Sequence, residues 1–169
     1  MWLINIYLDV SKIRAVGPRN ITTIVMRREH FSETYSVSCL CSLDPNMPIY
    51  ATGREDSNTQ LDFFKFLVDA IVERALQPGD ILICDNARIH QAQATAGVLG
   101  ELLDLFNIQL RYLPTYSPEL NPCELVFMKL KRYLREYRNG NISLWTDVCI
   151  GFSLITPKDI INFYKKCFK

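Results

Sequence analysis

Residues 78–85 read Pro78-Gly79-Asp80-Ile81-Leu82-Ile83-Cys84-Asp85. A turn signal leads into four apolar residues with no polar break, and an acid follows. Such a run, bounded by turn residues, suits a strand buried on both faces at the middle of a sheet. The chain on either side of it reads as helix. Before it, Leu61, Phe64, Val68, Ile71 or Val72, and Ala75 recur at helical spacing, with Asn58 or Thr59 available as cap. After it, a helix is expected from about His90 to Leu105, then a strand over residues 108–113 (IQLRYL). Strand, helix and strand in this order form a βαβ unit, so the strands pair in parallel.

Working towards the N-terminus, residues 34–43 (TYSVSCLCSL) alternate strictly and give the clearest strand pattern, closed by Asp44-Pro45-Asn46. Residues 4–9 (INIYLD) and 21–26 (ITTIVM) read as two further strands, and 48–51 as a short edge. Towards the C-terminus, a Pro-rich turn (Pro114, Ser117-Pro118, Asn121-Pro122) precedes a strongly patterned helix from Pro122 to about Arg138. Asn139-Gly140-Asn141 breaks the chain. Residues 141–169 then form a helical appendage of one or two short helices, the last starting at Thr156-Pro157. The order β-β-β-α-β-α-β-α predicts an α/β fold, a mixed five-stranded sheet flanked by helices, in one domain over residues 1–169.

With 169 residues, 49% of them hydrophobic, the chain can bury a core without disulfides or metals as staples. Seven glycines, eight prolines and 11% aromatics exclude collagen-like and disordered classes. Nineteen Lys and Arg against eighteen Asp and Glu give a net charge of +1, so average charge names no partner. The six cysteines include no CxxC pair, and Cys39 and Cys41 fall on one face of a strand. They read as reduced core thiols of an intracellular protein, nuclear in a eukaryote and otherwise cytoplasmic. No stretch has the roughly twenty apolar residues a membrane span needs. The two histidines, His30 and His90, leave a zinc site short of ligands. No Walker loop, G-x-G-x-x-G, G-x-S-x-G or H-E-x-x-H occurs, and no small-molecule cofactor is expected.

Chemistry is expected at the carboxyl ends of the strands, where α/β sheets usually bind ligands. Asp9 and Asp85 stand there, and each is also an ordinary turn or cap residue. Glu124 is the third acid; with Asn121 as N-cap and Pro122 as N1 it falls at N3, the position a capping box uses. At about 100° per residue, Lys131 and Arg135 lie within about 20° of Glu124 around that helix, and Arg138 within about 40°. Phe127, Leu130 and Leu134 take the core-facing sector. A carboxylate continued by a basic row suits an enzyme acting on a polynucleotide, and equally suits a solvated helix face. His90 is placed to contact a phosphate, or is a cap-region residue. Three acids matter because two Mg²⁺ ions about 3.5–4 Å apart can stabilise the attacking and leaving oxygens of a phosphodiester.

Two stretches resemble a known family. They are residues 83–90, Ile83-Cys84-Asp85-Asn86-Ala87-Arg88-Ile89-His90, and residues 113–127, LPTYSPELNPCELVF, followed by Lys129-Leu130-Lys131. Together they are similar to the mariner-type branch of the DDE superfamily of transposases and endonucleases, over roughly residues 34–138. The resemblance implies a ribonuclease H-like fold and a catalytic, metal-binding triad of Asp9, Asp85 and Glu124. It also implies two Mg²⁺ or Mn²⁺ ions, DNA as partner, and metal-dependent DNA strand cleavage and transfer. His90, Lys131, Arg135 and Arg138 are the expected DNA contacts, and a homodimer is possible. The chain has Asp9-Val10 where the family has Asp-Glu, Glu119 for Asp and Thr115 for Pro. No helix-turn-helix module precedes the catalytic region within these residues, so recognition of element ends is not expected of this chain. The competing reading is a truncated or domesticated remnant that keeps the fold and binds DNA or protein without cutting.

Overall fold

The computed structural model describes residues 2–8, 35–85, 93–115, 117–138 and 140–169. Among these residues five strands form one sheet: β1 (Trp2–Leu8), β2 (Tyr35–Cys41), β3 (Ile49–Arg54), β4 (Ile81–Cys84) and β5 (Gln109–Tyr112), in the order β3-β2-β1-β4-β5. β1–β2 and β2–β3 are antiparallel; β1–β4 and β4–β5 are parallel. The sheet is therefore mixed and five-stranded, with β4 inside it.

The third antiparallel strand differs from the sequence reading. β1 pairs directly with β2, Trp2 opposite Cys41 and Leu8 opposite Tyr35. The strand beyond β2 is β3, so the short edge expected at residues 48–51 is a full strand reaching Arg54. Residues 21–26, expected as a strand, lie outside the described residues.

Among the described residues five helices cover the sheet: α1 (Gln60–Val72), α2 (Gln93–Leu105), α3 (Pro122–Tyr137), α4 (Leu144–Ser153) and α5 (Pro157–Cys167). The strict alternation of β2 divides the core in two. Val37, Cys39 and Cys41 face α3, α4 and α5, packing with Cys123, Phe127, Leu130, Leu134 and Val148. Leu40 faces the other way, with Phe63, Phe66 and Leu67 of α1, Leu82 and Cys84 of β4, and Leu99 and Leu103 of α2. The result is three layers, helices on both faces of one sheet. Cys39 and Cys41 do share a face; all six cysteines are free, and Cys149 alone is exposed.

Local chemistry sets the helix ends. Thr59 caps α1 in a capping box with Asp62. The helix stops at Val72, three residues short of Ala75, because Arg74 turns left-handed (φ 61°) and Leu76 N–H returns to Ala70 O at 3.0 Å. A left-handed residue just past the C-cap ends a helix, and Ala75 and Leu76 are still buried beyond it. Thr156 and Asp159 form the same box on α5, where Lys129 of α3 adds an ion pair at 2.8 Å. Desolvation opposes the charge on Asp159, but the bonds from Lys129 and Thr156 outweigh it and hold its carboxyl down at about 2. A carboxyl depressed on folding stabilises above its unfolded value, near 3.9, and loses that contribution as pH falls towards 2. Asp159→Ala is therefore expected to cost about 1 kcal/mol at neutral pH. The difference from wild type should shrink in urea titrations between pH 4 and 2.

Gly53 in β3 is held by packing. The Trp145 ring of α4 occupies the space a Cβ there would need, and it stacks on Tyr35 with centroids 5.9 Å apart. Gly53→Val must displace that ring, and a loss of about 1–3 kcal/mol in urea unfolding is expected.

Candidate active site

β4 is held to its last residue. Cys84 pairs with Leu3 on one side and Tyr112 on the other, and Leu113 N–H donates to Cys84 O at 2.8 Å. Asp85 is the next residue, half-buried at the carboxyl end of an interior strand. Burial, and then the Asp85 carboxylate, push the Cys84 thiol up, so Cys84 stays a neutral core thiol. Because Leu3 lies level with Cys84, β1 runs on past the end of β4 through residues 4–8. Asp9, the expected first acid, lies outside the described residues, as does His90.

Glu124 is carried by α3, which packs on the face of the sheet formed by β1 and β2, close enough to Asp85 to feel its charge. Asn121 caps α3, its Oδ1 accepting from Cys123 N–H at 3.0 Å, and Pro122 opens the first turn. Glu124 is at N3, but it closes no capping box. The Asn121 N–H that a box would require already donates to Pro118 O at 3.0 Å, within the short 3₁₀ turn Pro118–Leu120. The cap is complete without the Glu124 side chain, so the capping box does not account for this acid. The Ser117-Pro118 turn signal is the trace of this arrangement in the sequence.

The charge of Asp85 is felt at Glu124. Burial pushes the Glu124 carboxyl up, Lys131 pulls it down, and the negative charge of Asp85 raises it again. An acid raised by burial beside a second negative charge makes a site suited to a cation. Their oxygens are the hard donors that Mg²⁺ and Mn²⁺ prefer, and such ions need only one or two carboxylates, with waters completing the shell. Among the described residues no group of three His, Cys, Asp or Glu could hold a metal.

The basic row is two residues long, not three. Lys131 and Arg135 are exposed, Arg135 Nε donating to Lys131 O at 3.2 Å. Arg138, expected on the same face, is instead 5% exposed, and its Nε lies 3.3 Å from Asp147 Oδ2 of α4. It is the C-cap residue of α3. Its helical position borders the apolar sector that begins at Phe127, and α4 folds back over that border carrying the acid. Arg138 is therefore corrected from a DNA contact to a buried structural ion pair.

A family model described as DDE superfamily endonuclease matches residues 12–142. No curated protein sequence matches the chain. Among solved structures, it is similar to the mariner Mos1 paired end complex with Mg, at TM-score 0.69 and 18% identity over 99% of this chain and 53% of that one. It is also similar to the Mos1 transposase catalytic domain with raltegravir and Mn, at TM-score 0.60 and 16% identity over 82% and 74% of the two chains. The catalytic core domain of BIV integrase superposes at TM-score 0.54 and 14% identity, over 80% and 91%. At these identities the likeness is one of fold, and that fold is ribonuclease H-like. The chain spans about half the length of the Mos1 chains in the paired-end complexes.

Proposed function

Because this chain belongs to the DDE superfamily endonucleases, we propose that it is a catalytic domain for divalent-metal-dependent cleavage and transfer of DNA strands. The observation that carries this reading is the Asp85–Glu124 pair. Asp85 follows the carboxyl end of an interior strand, and Glu124, in the first turn of α3, is left unused by the helix cap. Asp85 and Glu124 would hold the metal, with Asp9 as the third ligand on the strength of the family motif. A bound pair of Mg²⁺ or Mn²⁺ ions supplies charge stabilisation to the attacking and leaving oxygens of a phosphodiester.

The protein's own groups do the rest. β4 and the capped first turn of α3 fix the two carboxylates on rigid elements. Lys131 and Arg135 continue from Glu124 along α3, where they can hold backbone phosphates in register. His90 is assigned a phosphate contact on the motif alone. The Mg and Mn complexes of Mos1, and its complex with a left transposon end, support the choice of ion and of DNA as partner. The paired-end form of those complexes supports a reading in which two copies of this chain act together.

Incubation with supercoiled plasmid tests the reading. Conversion to open circles is expected only with Mg²⁺ or Mn²⁺ present and is abolished by EDTA. Nicking that survives chelation contradicts it.

A further inference from the structure

The helices on the two faces of the sheet carry opposite charge. From Gln60 to Leu105 the chain has seven acidic residues and three basic; from Pro122 to Lys169 it has four acidic and nine basic. Three of those four acids are matched within their own layer: Glu136 by Arg132, Asp147 by Arg138 and Asp159 by Lys129. The fourth is Glu124. Beyond these pairs, positive charge gathers at the end of α5, where Lys165, Lys166 and Lys169 are all exposed.

Lysines in a last turn complement the helix dipole, which is the ordinary explanation for them. Two observations exceed it. Phe168 lies among the three lysines and is 55% exposed, though the dipole asks for no apolar ring. Lysines around an accessible aromatic ring are what strand-binding surfaces present to phosphates and bases. The position is also specific. α5 lies antiparallel along α3: Asp159 in its first turn meets Lys129, whereas Tyr164 near its end packs with Cys123 and donates its O–H to Cys41 O at 2.9 Å. The lysine cluster therefore stands at the end of α3 that carries Glu124.

We propose that the last turn of α5 and the residues just after it, through Lys165, Lys166 and Lys169, form a second nucleic-acid contact. It holds backbone phosphates of the DNA engaged at the Asp85–Glu124 pair. The proposal rests on the reading of that pair as a DNA-cleaving site. The contact reads no sequence; it adds affinity and orientation, and its signature is salt dependence. The acidic α1–α2 layer disfavours the opposite approach.

The test is a fluorescence-anisotropy titration of a labelled DNA duplex, without divalent metal, at a series of salt concentrations. It compares wild type with the triple variant Lys165→Gln, Lys166→Gln, Lys169→Gln. The buried α5 residues Ile160 and Cys167 are untouched, and circular dichroism checks the fold. The slope of log affinity against log salt is expected to fall by about 2–3, with about tenfold or more lost at low salt. An unchanged slope overturns the proposal. Lys158→Gln, in the first turn of the same helix, is expected to leave the slope unchanged. A drop as large per charge removed there also overturns it, because binding would then follow net charge alone. The two readings fail separately. A triple variant that binds like a cleavage-competent wild type removes only the α5 contact. A chain that binds through α5 and never cuts removes only the reading of the carboxylate pair.

Discussion

Glu124→Gln is expected to reduce metal-dependent plasmid nicking by at least about a thousandfold while leaving the fold intact. The size follows from what is removed: a full negative charge at a site whose work is to hold cations against a developing phosphoryl charge. Losing several kcal/mol of transition-state stabilisation is a factor of ten for every 1.36 kcal/mol. The fold should survive because Glu124 is only partly buried and the α3 cap is closed without it. Asp85→Asn should match that loss. Since the two carboxylates serve one site, the double variant should be no worse than either single one. Circular dichroism and urea midpoints within about 0.5 kcal/mol of wild type would show that chemistry was removed and not structure.

The site should also respond to acid. Burial raises the Glu124 carboxyl above the ordinary range, with Asp85 adding to that rise against the pull of Lys131. A proton therefore competes with the metal at higher pH than it would for an isolated glutamate. Mn²⁺ affinity of the wild type, measured by isothermal titration across pH, is expected to weaken as pH falls through that raised value.

The largest effect on stability is expected at the Arg138–Asp147 pair. Both side chains are almost wholly buried, 4% and 6% exposed, with Nε 3.3 Å from Oδ2. The pair ties the end of α3 to α4. Arg138→Ala strands a carboxylate in the core, and Asp147→Ala strands a guanidinium; each is expected to cost about 3–5 kcal/mol. That is a large share of the roughly 5–15 kcal/mol available to a domain. Arg138→Met with Asp147→Leu should recover most of the loss, because the penalty is for an uncompensated charge. Urea midpoints of the single and double variants measure this. A single variant within 1 kcal/mol of wild type would show that the pair contributes little. Lys131→Ala and Arg135→Ala, on the exposed face, should leave stability unchanged.

Much of this arrangement was legible in the sequence wherever one element determines it. The unbroken run Ile81–Cys84 reads as an interior strand, and Asp85 inherits its position from that strand's end. The alternation in β2 separates Cys39 and Cys41 from Leu40 before any neighbour is known. Pro122 after Asn121 fixes the start of α3 and hence the place of Glu124. Features set by two distant elements were not legible. β3 reaches Arg54 because β2 offers it a partner and Trp145 of α4 covers Gly53, and local pattern in residues 49–54 carries neither fact. Arg138 keeps the angular position the helix assigns it, yet its environment is decided by α4 nine residues on. Whether Glu124 caps its helix turns on one N–H, which the turn before it had already used.

The central claim is that Asp85 and Glu124 together hold a catalytic divalent cation. Isothermal titration with Mn²⁺ tests it most directly, on wild type and on Glu124→Gln and Asp85→Asn. Saturable binding by wild type, lost or severely weakened in both variants, is the predicted result. The same binding in all three proteins, or none in wild type, would contradict it.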